Sequence, residues 1–133
     1  MKVVVDTSVW SLALRRKTVV ESPLVSLLKD LIQDGRVVLL GVVRQELLSG
    51  IRNQEQFERL RSHLRAFPEA RVELEDHEVA AACFNTCRTA GVQGSMIDFL
   101  ICAYASRRKW QILTTDPDFQ HFSRHIPMSL LAP

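Results

Sequence analysis

The sequence contains little that would place the chain in a membrane or send it out of the cell. No apolar run approaches the roughly 20 residues that a helix needs to cross a bilayer. The N-terminal stretch MKVVVDTSVW is interrupted by Asp6, too early for the apolar core of a signal peptide. We therefore expect a cytoplasmic protein that has no membrane partner.

Cysteine is also scarce, with three residues at Cys83, Cys87 and Cys102. An odd and dispersed set predicts no disulfide framework, and no C-x-x-C pair indicates a zinc site. Cys83 and Cys87 lie four residues apart on a predicted helix, so a metal-binding pair stays open. The more ordinary interpretation is that buried thiols pack as small hydrophobic side chains.

A large excess of charge of either sign is missing as well. The chain has 17 Lys and Arg against 15 Asp and Glu, a net charge of +2. If four acids were gathered in one metal-binding pocket, 17 basic residues would face 11 remaining acids, a balance of +6. A basic exterior around an acidic pocket suits a polyanion that is bound and then cut.

The sequence does contain short apolar segments that alternate with helical patterns. A chain of 133 residues that is 47% hydrophobic suits one domain, spanning 1–133, with its own core. Buried strands are predicted at 3–5, 37–40 and 112–113, with weaker candidates at 72–74 and 128–131. Helices are predicted at about 7–16, 22–35, 41–50, 53–67, 75–91 and 95–109. This alternation predicts an α/β fold with a central, mainly parallel sheet flanked by helices.

Carboxylates stand where two of the predicted strands end. Asp6 follows the first strand and Asp116 follows a later one. Asp98 lies in the first turn of its helix, and Glu46 lies one helical stretch beyond the second strand. Because open α/β sheets form their sites at the carboxyl ends of the strands, these acids can meet at one edge. An oxygen-only ligand set indicates Mg²⁺ or Mn²⁺, which relieves carboxylate repulsion and can support phosphodiester hydrolysis.

Each acid also has an ordinary structural interpretation. Asp6 and Asp116 stand at helix N-cap positions, with Pro117 as the first helical residue after Asp116. Ser95 and Asp98 have the spacing of a capping box. Glu46 lies on a helix face that faces solvent by default.

Four sequence blocks, taken together, carry a family resemblance. They are VVVDTSVW around Asp6, RQELLSG around Glu46, GSMIDFLICAYA around Asp98 and ILTTDPDF around Asp116. In this order, and over nearly the whole chain, they resemble the PIN-domain ribonucleases, most closely the VapC-type toxins of toxin–antitoxin pairs. The last block is similar to the family's strand followed by T-x-D-x-D-F. The chain departs from the pattern before Asp98, where a usually more polar position holds Met96 and Ile97; this would alter the pocket wall without removing a ligand.

The resemblance implies a PIN-like three-layer fold and a metal-dependent endoribonuclease that leaves 5′-phosphate and 3′-hydroxyl ends. It implies that Mg²⁺ or Mn²⁺ is held by a catalytic quartet, with Asp118 as an auxiliary acid. Ser8 and Thr114 would hydrogen-bond the ligating carboxylates and hold them in place. The implied quartet consists of Asp6, Glu46, Asp98 and Asp116.

The resemblance also implies partners. A cognate VapB-type antitoxin would place an apolar helix in a groove formed by the helices between 22 and 67. The chain itself would form a homodimer. Two basic clusters are candidates for contact with the RNA backbone, although each also ends a predicted helix, where the macrodipole favours cations. These clusters are Arg15, Arg16 and Lys17, and Arg107, Arg108 and Lys109.

Other enzyme classes fit the residues less well. A phosphotransferase of the haloacid-dehalogenase type needs a second Asp two residues after the first, and that position is Ser8. No G-x-x-x-x-G-K-[ST] motif supports a P-loop nucleotidase. The alternative from another class is a catalytically silent PIN-type module that binds RNA or protein, and the presence of all four acids favours catalysis over it.

Overall fold

Three short parallel strands lie at the centre of the fold in the computed structural model, which describes residues 1–14 and 22–132. The strands are β1 (Val3–Val5), β2 (Val37–Val38) and β3 (Gln111–Leu113), in the order β2-β1-β3. Val3 is paired with Val37 on one side and with Gln111 on the other. All three β1 side chains are fully buried. An unbroken apolar run suits a parallel strand because both faces of such a sheet are covered.

Helices flank this sheet and confirm the predicted α/β architecture. In the described ranges they are α1 (Thr7–Ala13), α2 (Pro23–Gln33), α3 (Gly41–Leu48), α4 (Gln54–Leu64), α5 (Leu74–Thr89), α6 (Met96–Arg108) and α7 (Asp118–Phe122). No helix in these ranges has the length and apolar character required to cross a membrane.

Two of the weaker strand predictions had different outcomes. The predicted strand at 72–74 is wrong, because Glu73 forms a capping box with Asp76 and α5 begins at Leu74. Local hydrogen bonding at a helix start prevails there over a short apolar run. The segment at 128–131 contributes only an isolated parallel bridge, between Leu130 and Ile112.

Helix α6 is the central helix of the core. Its residues from Phe99 to Ala105 are all buried. A helix that is apolar all round must be covered by other elements on every side. The end of α6 contacts the start of α5 through Arg107 and Asp76, so these two helices run antiparallel.

A cluster of three buried phenylalanines joins α6 to α7. The ring centroids of Phe99 and Phe122 are 4.8 Å apart, and those of Phe119 and Phe122 are 5.3 Å apart. Gly94 lies directly against this cluster. A Cβ atom at Gly94 would come within 2.5 Å of Phe122 and 2.9 Å of Phe99, so no larger residue fits without displacing a ring. The cluster therefore sets the position of the first turn of α6 relative to α7.

The cysteines pack as hydrophobic side chains. All three are free and buried, and Cys102 Sγ lies 3.7 Å from Met128 Sδ. Burial raises the pKa of each thiol, which keeps the sulfurs protonated.

Candidate active site

Asp6 connects the carboxyl ends of β1 and β3. It is only 5% exposed. It occupies the N-cap position of α1, yet its side chain makes no capping hydrogen bond. Instead, Asp6 Oδ2 accepts hydrogen bonds from Ser8 Oγ (2.7 Å) and Thr114 Oγ1 (2.8 Å). The Asp6 carboxylate therefore hydrogen-bonds Ser8 and Thr114 and does not cap the helix.

The two hydroxyl groups are themselves held by backbone amides. Thr115 N donates to Ser8 Oγ (3.0 Å), and Asp116 N donates to Thr114 Oγ1 (3.0 Å). Because each hydroxyl oxygen accepts from an amide, its own proton is directed at Asp6. The hydrogen bonds that were expected of Ser8 and Thr114 are present; that Asp6 ligates a metal stays a prediction.

Asp98 begins α6 as part of a capping box. Ser95 N donates to Asp98 Oδ2 (3.1 Å), and Asp98 N donates to Ser95 Oγ (3.1 Å). The half-buried position of this carboxyl group raises its pKa, the Ser95 hydrogen bonds oppose that rise, and the charges of Asp6 and Asp116 add to it. The charges of Asp6 and Asp116 therefore reach Asp98, although burial is the largest cause of its raised pKa.

Glu46 reaches the same end from α3. It is exposed, and its Oε1 accepts a short hydrogen bond from the hydroxyl of Thr7. Thr7 directly follows Asp6, so this bond brings α3 to the start of α1. No local spacing in the sequence predicts this link, because the two residues are 39 positions apart.

Asp116 and Asp118 lie at the start of α7. Asp116 Oδ1 accepts a hydrogen bond from Asp118 N (2.9 Å), so Asp116 does hold the helix start. The helix begins at Asp118 with Pro117 at the N-cap position, one residue later than expected. Asp118 is exposed at the edge of the site.

The donor set fits a hard divalent cation in its chemistry, since all of its members are carboxylates. In the conformation described, however, no three Asp, Glu, His or Cys side chains within 1–14 and 22–132 are close enough to hold an ion. Glu46 accepts from Thr7, Asp98 from Ser95 and Asp116 from Asp118, each through a single carboxylate oxygen.

The second basic cluster predicted for RNA contact is engaged within the protein. Arg107 and Arg108 donate to the carboxylates at the start of α5, and both reach Asp76 Oδ1, at 2.7 and 2.8 Å. The guanidinium of Arg108 also lies 3.6 Å from the centre of the Tyr104 ring. Contact of these arginines with RNA stays a prediction, as does that of the exposed Lys109. The first cluster, Arg15, Arg16 and Lys17, lies outside the described residues.

The parallel sheet is flanked by helices, and Asp6 and Asp116 follow the carboxyl ends of β1 and β3. The chain belongs to the PIN domain family, whose model matches residues 3–124. PIN domains are generally nucleases that use divalent metal ions. No curated protein has significant sequence similarity to the chain.

Solved structures confirm the fold at low sequence identity. The chain is 16% identical to a protein in the structure of VapBC2 from Rickettsia felis bound to a DNA fragment from their promoter, with a TM-score of 0.79 and 98% of each chain covered. It is 20% identical to one in the FitAcB structure from Neisseria gonorrhoeae, with a TM-score of 0.76, covering 98% of this chain and 96% of that one. The structure of FitAB bound to an IR36 DNA fragment gives 20% identity and a TM-score of 0.77 over 97% and 93% of the two chains.

Proposed function

We propose that the chain is a metal-dependent endoribonuclease and the toxin of a VapBC-type toxin–antitoxin pair. The observation that carries the proposal is the buried Asp6 carboxylate at the ends of β1 and β3, where Ser8 and Thr114 both donate hydrogen bonds to its Oδ2. Acids from the ends of two strands and the start of a helix share one edge of the sheet. A site with this arrangement has a use for a divalent cation that a purely structural set of caps would lack.

The quartet of Asp6, Glu46, Asp98 and Asp116 would hold Mg²⁺ or Mn²⁺, with the exposed Asp118 as an auxiliary acid. When bound, the cation would neutralise the acids and the phosphodiester and favour ionisation of a water. Ser8 and Thr114 orient the Asp6 carboxylate, and one carboxylate accepts the proton of the attacking water. The water oxygen would add to phosphorus while the bond to the 3′ oxygen breaks, and the departing 3′ oxygen would take a proton from solvent water. The products are a 5′-phosphate and a 3′-hydroxyl.

An antitoxin partner is supported by a groove between α3 and α4. This groove has a volume of about 380 Å³ and lies within the helices 22–67. It runs beside the helix that carries Glu46, so an apolar helix seated there would end close to the acidic site. The similar solved structures include VapBC2 bound to DNA from its own promoter. The lining residues are Gly41, Arg44, Gln45, Leu48, Ser49 and Phe57.

A homodimer is supported by a second and more apolar groove, of about 450 Å³, between α5, the start of α6 and Val42. Met96 lies in this groove and is 81% exposed. An exposed apolar side chain at the mouth of an apolar groove is typical of a surface that another chain covers. We infer that a second copy of the chain covers this groove.

We also infer that the toxin acts in the cytoplasm.

The separation of the acids favours one alternative, a catalytically silent module that binds RNA or protein. Metal binding discriminates between the two functions. A competent site gains about 2.7 kcal/mol of stability at a Mn²⁺ concentration of 100 times Kd, and Asp98→Asn reduces this gain. If Mn²⁺ leaves the melting temperature of both the normal protein and Asp98→Asn unchanged, the silent module is favoured.

The decisive experiment is cleavage of a mixed RNA pool by purified protein with Mg²⁺ or Mn²⁺, with EDTA, and by Asp98→Asn in parallel. We expect cleavage that depends on the metal and is lost in the variant. Equal cleavage by both proteins would indicate a contaminating nuclease. No cleavage by the normal protein would count against the proposed enzyme.

A further inference from the structure

A small cavity opens beside the start of α6, outside the carboxylate quartet. Its volume is about 270 Å³, just below the ~300–1,000 Å³ typical of pockets for drug-sized ligands. It lies between the last turns of α5 and the segment 92–94 that leads into the Ser95 cap. The lining residues are Phe84, Arg88, Val92, Gln93, Gly94 and Phe99.

The cavity offers three kinds of chemical group. Phe84 is half-buried and stands edge-on to Phe99, with ring centroids 5.6 Å apart and an interplanar angle of 77°. Arg88 lies one helical turn further along α5 on the same side and is exposed. Gln93 contributes an amide that can both donate and accept hydrogen bonds. In a nucleotide, the aromatic ring can contact the face of the base and the guanidinium can contact the phosphate. The amide can hydrogen-bond the edge of the base.

Arg88 differs from the arginines at the end of the neighbouring helix. Arg107 and Arg108 each contact two or more carboxylates. Arg88 has no side-chain hydrogen bond or ion pair within the part of the chain that the structure describes. Its guanidinium is therefore available to an anionic or aromatic ligand.

The floor of the cavity is fixed close to the acidic site. Gly94 lies against Phe99 and Phe122 with no space for a side chain. Gly94 is bonded to Ser95, whose backbone amide donates to Asp98 Oδ2 (3.1 Å), so the wall of the cavity is adjacent to the Asp98 carboxylate. A nucleotide held in the cavity would thus be a near neighbour of any phosphodiester at Asp98.

We propose that this cavity binds one unpaired base of the RNA substrate, adjacent to the bond that is cut. Arg88 provides the planar surface on which the base stacks, and Gln93 hydrogen-bonds the base edge. Phe84 forms an apolar wall that the cavity shares with the groove assigned to the second copy. Sequence-specific proteins read RNA mainly through such unstacked bases in single strands and loops. The inference rests on the proposed ribonuclease function.

The test uses the full chain and a random single-stranded RNA pool, with the cut ends sequenced and the kinetics measured on one preferred site. Arg88→Ala and Gln93→Ala should relax the base preference at one position beside the cut. Arg88→Ala should also raise KM by about tenfold with kcat little changed, at the lower end of what one stacked base contributes. Arg88→Lys keeps the charge and should restore part of the KM but not the base preference.

The matched control is Arg65→Ala, which removes an exposed arginine at the end of α4 and should leave both readouts unchanged. The base-binding inference is overturned, with the nuclease intact, if the cavity variants behave like Arg65→Ala. It is also overturned if they leave RNA kinetics unchanged and weaken binding of an antitoxin, which would make the cavity a protein contact. A normal protein that cuts no RNA overturns the proposed function itself, and the inference with it.

Discussion

Two groups of acids in this molecule have opposite surroundings. The arginine-paired cluster consists of Glu73, Glu75 and Asp76 at the start of α5 with Arg107 and Arg108 at the end of α6. The carboxylate site consists of Asp6, Glu46, Asp98 and Asp116. Asp76 is fully buried, and burial acts to raise its pKa. Hydrogen bonds from Arg108, from the Glu73 amide and from Arg107 outweigh that effect and hold the pKa well below its usual range.

The contrast separates acids that are paired within the fold from acids whose proposed role needs a ligand. Asp76 and Asp98 both complete a capping box at the start of a helix. Only Asp76 also has cationic partners, and only Asp98 has other acids as neighbours that raise its pKa. The same local motif therefore serves two purposes, and the long-range charges decide between them.

The largest effect should come from removing one acid of the carboxylate site. Asp98→Asn should lower kcat at least about a hundredfold, because loss of a ligand charge removes several kcal/mol of transition-state stabilisation. The asparagine oxygen can still accept from Ser95 N, so urea unfolding without metal should show no loss of stability. Asp118→Asn is the control and should show a smaller loss of rate. A stability loss as large as the activity loss would make Asp98 a structural residue.

The arginine-paired cluster should respond in the opposite way. Asp76→Ala should lower the free energy of unfolding by about 2–3 kcal/mol, since it leaves two partly buried arginines without their shared partner. Glu75→Ala removes a carboxylate that is 66% exposed and pairs with Arg107, and it should change stability by less than about 0.5 kcal/mol. Urea unfolding of the two variants measures the difference. Equal losses of stability in Asp76→Ala and Glu75→Ala would show that the burial of Asp76 does not increase its contribution to the free energy of unfolding.

A smaller effect is expected from the hydroxyl groups that support Asp6. Thr114→Val keeps the side-chain shape but removes the donor to Asp6 and the acceptor for Asp116 N. Mn²⁺ affinity should fall about tenfold, as is usual when a group that supports a ligand is lost. Thr115→Val is the matched control, because only its backbone amide joins the network. Calorimetric titration with Mn²⁺ would contradict the predicted role if the two variants bound the ion equally.

The smallest effect is the pH dependence of stability without metal, and it has opposite signs in the two groups. The folded pKa of Asp76 lies below its ordinary value of 3.8, so its stabilising contribution is present above 3.8 and is lost as the pH falls toward the folded pKa. The pKa of Asp98 in the folded state lies above 3.8. Its stabilising contribution is therefore present at low pH and is lost as the pH rises through the folded pKa.

Urea unfolding between about pH 3 and pH 7 of the normal protein, Asp76→Asn and Asp98→Asn would separate the two contributions. The Asp76 variant should lose the decline in stability on acidification, and the Asp98 variant should lose the decline on neutralisation. Parallel curves for all three proteins would contradict both assignments.

Local patterns in the sequence predicted the parts of this comparison that depend on neighbouring residues. The apolar run before Asp6 predicted β1, and the spacing of Ser95 and Asp98 predicted their capping box. The pattern at 72–74 misled because a short apolar segment resembles a strand until its acid is seen to cap a helix. Contacts between distant residues were beyond such reasoning, as Arg107 and Asp76 are 31 positions apart. Their pairing follows from the antiparallel packing of α5 and α6, which no local spacing encodes.

Gly94 has a consequence for any library of variants of this protein. Its place between two phenylalanine rings leaves no room for a methyl group, so substitution would push apart the helix that carries Asp98 and the turn that carries Asp116. A screen for loss of the proposed activity would then group Gly94 with the acids of the carboxylate site, although glycine has no functional side chain. Intolerance at this position would reflect the lack of space between two rings and not a chemical role.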